Sequence, residues 1–184
     1  MSAETFSAQL PTYLTLADVA AMADVDQRGH RFELSPEGIL SVMPPPGVEH
    51  ALIATQLLVW FASHGWPLNQ LYQNVGVKID LDRGIGGRIP DLKVWSAPPT
   101  GPVWSAVKDL LLAIEIISYG SEPIDRIIKK DEYAAASIPW YWIVGSDAGN
   151  PVTMLRLAGD GYRQVQVQPL SWLLNTTPAE HLGD

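Results

Sequence analysis

The chain has 184 residues, enough for one domain that buries about 70% of its unfolded surface and needs neither disulfide nor metal to staple its core. It contains no cysteine, which excludes disulfides, thiolate metal sites and a cysteine nucleophile, leaves oxygen and imidazole as metal ligands, and fits a cytoplasmic protein. A net charge of −8 excludes a broad basic surface for nucleic acid, so contact with phosphate would fall to a local rim of cations.

Residues 1–14 show no periodicity and read as a loose tail, without the basic and apolar segments of a signal peptide. Thr15 caps a helix in which Asp18 completes the capping box and Leu16, Val19, Ala20 and Ala23 face inward. Arg31 to Leu34 and Ile39 to Met43 form a hairpin across "SPEG". Glu33 lies between Phe32 and Leu34, and by alternation it points away from both. Pro44 to Pro46 make a stiff connector. Val48 to His64 carries a wide apolar stripe that Gly65 stops, with His50 in its first turn. The longest apolar run, Ala51 to Ala62, is broken by Thr55 and Gln56 and is too short to span a membrane.

Leu71 to Asp80 alternates as a half-buried strand with Val75, Val77 and Ile79 on one face. "DLDRGIGG" reads as a flexible turn or loop, "RIPDLKVW" as a strand entered through Pro90, and Ser96 to Ala106 as a rigid loop. "DLLLAIEII" has the nearly unbroken apolar character of a strand covered on both faces. Pro123 then opens a helix with Ile124, Ile127 and Ile128 as its core side. "IPWYWIVG" is a second buried strand, and the strand-helix-strand order makes a parallel crossover. In it Trp140 and Trp142 share one face, a packing pattern. The chain closes with a hairpin, "VTMLRL" and "YRQVQVQ" around "AGDG".

Two acids interrupt this apolar pattern. Asp91 and Glu115 each occupy a strand position that an apolar residue would fill better, and a buried carboxylate costs several kcal/mol (about 2–7 for a polar group alone) unless it is paired or bound to a metal. Alternation puts Glu115 with Ala113 and Ile117, opposite Leu112, Ile114 and Ile116. With the "RIPDLKVW" strand alongside, the two acids can share a hard divalent ion at one end of the sheet, and magnesium suits such oxygen ligands.

The order Pro90-Asp91, then Glu115 followed by Ser118, then Asp125, Lys129 and Tyr133 on a helix, then "IPWYWIV", resembles the Uma family of bacterial restriction endonucleases in the PD-(D/E)XK nuclease superfamily. "RFELSPEGILSVMPPPGVEH" is similar to that family's opening signature, so the resemblance runs from Thr15 to Trp172. It implies an α/β, restriction-endonuclease-like domain over 15–175, a mixed β-sheet flanked by helices with added β-hairpins, followed by a tail over 176–184. It also implies metal-dependent hydrolysis of DNA phosphodiester bonds. Asp91, Glu115 and the Ile116 carbonyl would hold magnesium or manganese, Glu33 would complete the acidic cluster, and Lys129 would activate water or steady the developing charge. The partner would be DNA and not a membrane, two copies could pair, and His50 would stand behind the site.

In one respect the chain departs from the superfamily. A lysine usually stands two residues beyond the acid, where this sequence has Ile117, which cannot orient water. The resemblance moves the amine to Lys129, four residues after Asp125 on one helical face; alternation offers Lys93, on the face of Asp91. Lys129 is preferred because the loop and helix after Glu115 can fold back over the strand end. Ile117 and the acidic charge also support a different class of function, a nuclease fold without turnover that serves as a binding or assembly module. A general acid-base enzyme acting on a small substrate would use the same carboxylates in a closed pocket.

Overall fold

The architecture, taken from a computed structural model, covers residues 13–183 except 102 and 119. The tail expected over 1–14 therefore lies, but for its last two residues, outside the described part. Helix α1 (Leu16–Val25) starts at Thr15 with the anticipated capping box to Asp18, though only Val19 of its expected inner face is fully buried. Strands β1 (Arg31–Leu34) and β2 (Leu40–Met43) form the hairpin, and α2 (Val48–Ser63) follows the prolines.

The strand expected over 71–80 is two strands. Asn74 takes a left-handed φ of 53°, which turns the chain between β3 (Leu71–Gln73) and β4 (Gly76–Leu81) and sends them to different sheets. The glycine-rich segment read as a loop is largely strand: β5 (Gly84–Arg88) pairs antiparallel with β4. Its glycines are there for contact. A Cβ on Gly86 would lie 2.6 Å from the Leu34 carbonyl oxygen, so only glycine lets β5 approach β1 this closely. Arg88 ends β5, the chain turns through Pro90 and Asp91, and β6 (Leu92–Trp95) enters the other sheet. The long loop after it also holds a short strand, β7 (Trp104–Ala106), parallel to β4.

Strand β8 (Leu110–Ile116) is covered on both faces and pairs parallel with β9 (Trp140–Val144), as the crossover requires. The hairpin β10 (Pro151–Ala158) and β11 (Gly161–Pro169) extends that sheet. Two sheets result, β2-β1-β5-β4-β7 and the mixed β11-β10-β9-β8-β6-β3. Short helices α4 (Leu170–Leu173) and α5 (Pro178–Leu182) close the chain; α5 lies in the segment read as a tail, and Leu182 rests against the core. Among the described residues no helix is long and apolar enough to cross a membrane.

The two faces of β8 separate two apolar clusters. Leu112, Ile114 and Ile116 pack with Trp140 and Trp142 against Leu57, Trp60 and Phe61 of α2 and Leu170 and Leu173 of α4. Each such side chain stabilises by about 1.5–3 kcal/mol when fully buried. Ala113 and Ile117 face the other way, toward Val77 and Ile79 of the smaller sheet and Tyr133. Glu115 belongs to this second face.

Helix α3 (Lys129–Ala135) is turned opposite to expectation. Ile127 and Ile128 are 61% and 47% exposed, while Asp125, Lys129, Glu132 and Tyr133 are buried. A π-helical turn over Ile124–Ile128, in which the Lys129 N–H bonds the Ile124 carbonyl, shifts the phase of the side chains ahead of α3. The polar stripe at 125, 129, 132 and 133 is what meets the sheet.

Candidate functional site

Antiparallel pairing sets Leu92 against Ile114, so one residue further along Asp91 stands across from Glu115. Asp91 Oδ1 accepts from Arg31 Nη1 at 2.5 Å, and Oδ2 accepts from the Ile116 N–H at 2.8 Å. His50 Nε2 lies 3.0 Å from Oδ2, at angles outside hydrogen-bond geometry, and among the described residues neither ring nitrogen has a hydrogen-bond partner. Burial would raise the Asp91 carboxyl, but His50, Arg31 and the Ile116 N–H outweigh it and hold it at about 2.

Glu115 Oε1 accepts from Lys129 Nζ at 2.9 Å and from the Tyr133 hydroxyl at 2.7 Å. Burial lifts this carboxyl to about 8, with Asp125, Asp91 and Glu33 adding to the rise against the pull of Lys129. Lys129 also lies 3.2 Å from Glu33 and 3.4 Å from Asp125. Burial works against its charge, yet Glu115, Glu33 and Asp125 together keep its ammonium firmly protonated. The ion pair of Asp125 and Lys129, four residues apart on one helical face, is therefore buried.

Glu33 is buried, not exposed on its strand. Its carboxylate accepts from the Ile89 N–H at 2.8 Å and from Arg88 Nη1 at 3.2 Å. Against the cost of burial, Lys129 and Arg88 hold it below the ordinary glutamate range. Arg88 in turn grips Glu132 through Nε and Nη2, both at 2.6 Å. This two-pronged pair is the strongest geometry available to a guanidinium.

The expected residues Glu33, Asp91, Glu115 and Lys129 thus converge. Ile116 joins them through its N–H; that is the contact the structure shows, not one from its carbonyl. Ile117 packs in the apolar cluster. Arg31, Arg88 and Glu132 were missed, since in sequence they look like ordinary charges. A clue existed in the helical spacing of Asp125, Lys129 and Glu132, which puts three charges on one stripe.

Lys93 has no exposed surface, and its Nζ donates to the Pro90 carbonyl. Burial pulls it down to about 7, despite the nearby Glu115 and Asp91. In a carbon-detected NMR titration its Cε is expected to move with a midpoint near 7. A Lys93 signal that stays still across neutral pH would overturn this placement.

Whether a divalent ion fits can be judged from the donors. Both oxygens of Asp91 are engaged by Arg31 and Ile116, and Lys129 sits on Glu115 and Glu33. Among the described residues no three His, Cys, Asp or Glu side chains form a metal-holding group. In this arrangement protein cations already match the acids that an added ion would need.

A family profile described as "Uma2: Putative restriction endonuclease" matches residues 10–183. No curated protein matches. A solved structure from Anabaena variabilis ATCC 29413, described as a "putative nuclease belonging to DUF820", is similar at 15% identity with a TM-score of 0.53, over 82% of this chain and 83% of that one. At that identity the likeness speaks to the fold, an α/β architecture of mixed sheets flanked by helices with nuclease-like topology.

Proposed function

The chain belongs to the Uma2 family, and from that premise we propose that it is a nuclease-fold module that binds nucleic acid through a centre latched shut by its own cations. One observation carries this reading: the two oxygens of Asp91 are taken by Arg31 Nη1 and the Ile116 N–H, and Lys129 holds Glu115. Breaking such buried pairs costs several kcal/mol (about 3–5), so the open form is held to about one molecule in 10² to 10⁴.

A second reading, magnesium- or manganese-dependent hydrolysis of DNA phosphodiester bonds, is favoured by the meeting of Glu33, Asp91, Glu115 and Lys129 at one spot. It requires Arg31 to leave Asp91 first. Calorimetric titration with magnesium and manganese, run beside incubation with plasmid and single-stranded DNA, separates the two. The module reading expects no ion binding that depends on Asp91 and no cleavage above the Glu115→Ala level. Cleavage by the wild type that Glu115→Ala abolishes would replace it with the hydrolytic one.

A further inference from the structure

A helix packed on a core ordinarily turns an apolar stripe inward and charged side chains to water. Helix α2 breaks the second half of that rule. Its inner stripe of Ile53, Ala54, Leu57, Trp60 and Phe61 is buried, yet Val48, Leu52 and Val59 on the outer side are 90%, 56% and 58% exposed. Among its 16 residues Glu49 is the single Asp, Glu, Lys or Arg.

The outer residues have a period. Val48, Leu52, Thr55 and Val59 follow at steps of four, three and four, the spacing of a seam between two helices. Beside the seam runs a shallow groove of about 350 Å³ lined by Thr55, Gln56, Val59, Trp60, Ser63 and Leu174. Through His64 it adjoins a second groove of about 560 Å³, walled by Trp66, Pro67 and Pro178. Specific dimers bury about 1,200–2,000 Å² in total, and a helix about 24 Å long flanked by two grooves offers a face of that order.

We propose that α2 is the contact surface of a two-fold dimer of this chain, in which the helices of the two copies lie antiparallel and meet at Gln56. Shape favours this occupant. Residues equally far from Gln56 come level, so Leu52 of each copy reaches the level of Trp60 in the other, over the groove, and one helix supplies both knob and hole. Charge sets the direction: antiparallel copies place Glu49 opposite Ser63, whereas parallel copies would place the two Glu49 carboxylates side by side. The face is also nearly neutral on a chain of net charge −8, which lets two acidic copies meet there without added repulsion. The dimer does not depend on the latched-centre reading, and either can fail alone.

Sedimentation equilibrium of the wild-type chain should show a dimer at about 0.1 mM. Leu52→Glu should weaken association about a hundredfold or more, because the change enters the interface twice, while its far-UV circular dichroism stays that of the wild type. The chain has no cysteine, so Gln56→Cys carries a single thiol, and mild oxidation should lock it as a dimer. Gln166→Cys, on the edge strand β11 of the larger sheet, should stay monomeric under the same oxidation. A wild type that is a monomer at that concentration would leave the face to a different partner and overturn the proposal. So would a Leu52→Glu variant that dimerises as tightly as the wild type, or oxidation that links Gln166→Cys and not Gln56→Cys, which would mean edge-to-edge pairing of β11.

Discussion

Arg88→Met is expected to lower stability by about 3–5 kcal/mol at pH 7, a fall in Tm on the order of 10 °C for a chain of this size. The reason is the company Arg88 keeps. Its guanidinium is 2% exposed and lies 2.6 Å from Glu132 and 3.2 Å from Glu33, with both acids 1% exposed. Removing it leaves two buried carboxylates with only Lys129 near one of them. Methionine fills the volume of the stem but not the charge, so the loss measures electrostatics more than packing. Chemical unfolding reads the effect, and Glu132→Gln in the Arg88→Met background should restore part of it by removing one orphaned charge. A loss below about 1 kcal/mol would mean that the buried lattice contributes no more than a surface ion pair.

The pH dependence follows from the same pairs. Glu33 and Asp91 are held below their ordinary values, Asp91 at about 2. A carboxyl depressed in the folded state contributes stability that is present above its unfolded value and is lost as pH falls through its folded value. The wild type should therefore weaken on its acid limb, and Arg88→Met should flatten the part of that limb due to Glu33.

The strands around the centre were legible for a simple reason. "LLLAIEII" and "WYWIV" have nearly unbroken apolar runs, which leave few alternatives to parallel strands covered on both sides. Glu115 was legible as the one acid inside such a run. The helix carrying Lys129 misled, because its isoleucines look like a core face. Ile127 and Ile128 are exposed, and the charged stripe turns inward, since each of its charges finds an opposite one there. For Glu33 alternation gave only a side opposite Phe32 and Leu34, and its place in the site came from the resemblance. The chain after β5 crosses from one sheet to the other beside it, and the Ile89 N–H, Arg88 and Lys129 enclose its carboxylate. Such pairings join residues 44 to 96 positions apart, for which single-sequence spacing carries no information.

Lys129→Met tests the other half of the lattice. Its Nζ lies 2.9 Å from Glu115, 3.2 Å from Glu33 and 3.4 Å from Asp125, so one substitution removes the shared cation of three buried acids. A loss of about 3–5 kcal/mol is expected at pH 8, and its size should depend on pH. Burial already raises Glu115 to about 8 from an ordinary 4.5, and Asp125 is raised as well. A carboxyl raised in the folded state costs nothing below its unfolded value, where it is neutral in both states; its penalty grows as pH rises from the unfolded value to the folded one and is constant above that. Without Lys129 the main pull holding Glu115 down is gone, so the penalty goes on growing above the wild-type value of about 8. The gap between variant and wild type in urea unfolding should accordingly widen above pH 8 and be smaller near pH 6 than near pH 9. If Lys129 served only to handle a substrate, the two unfolding curves would coincide at both pH values, and the acids would have to be stabilised by something other than the amine they surround.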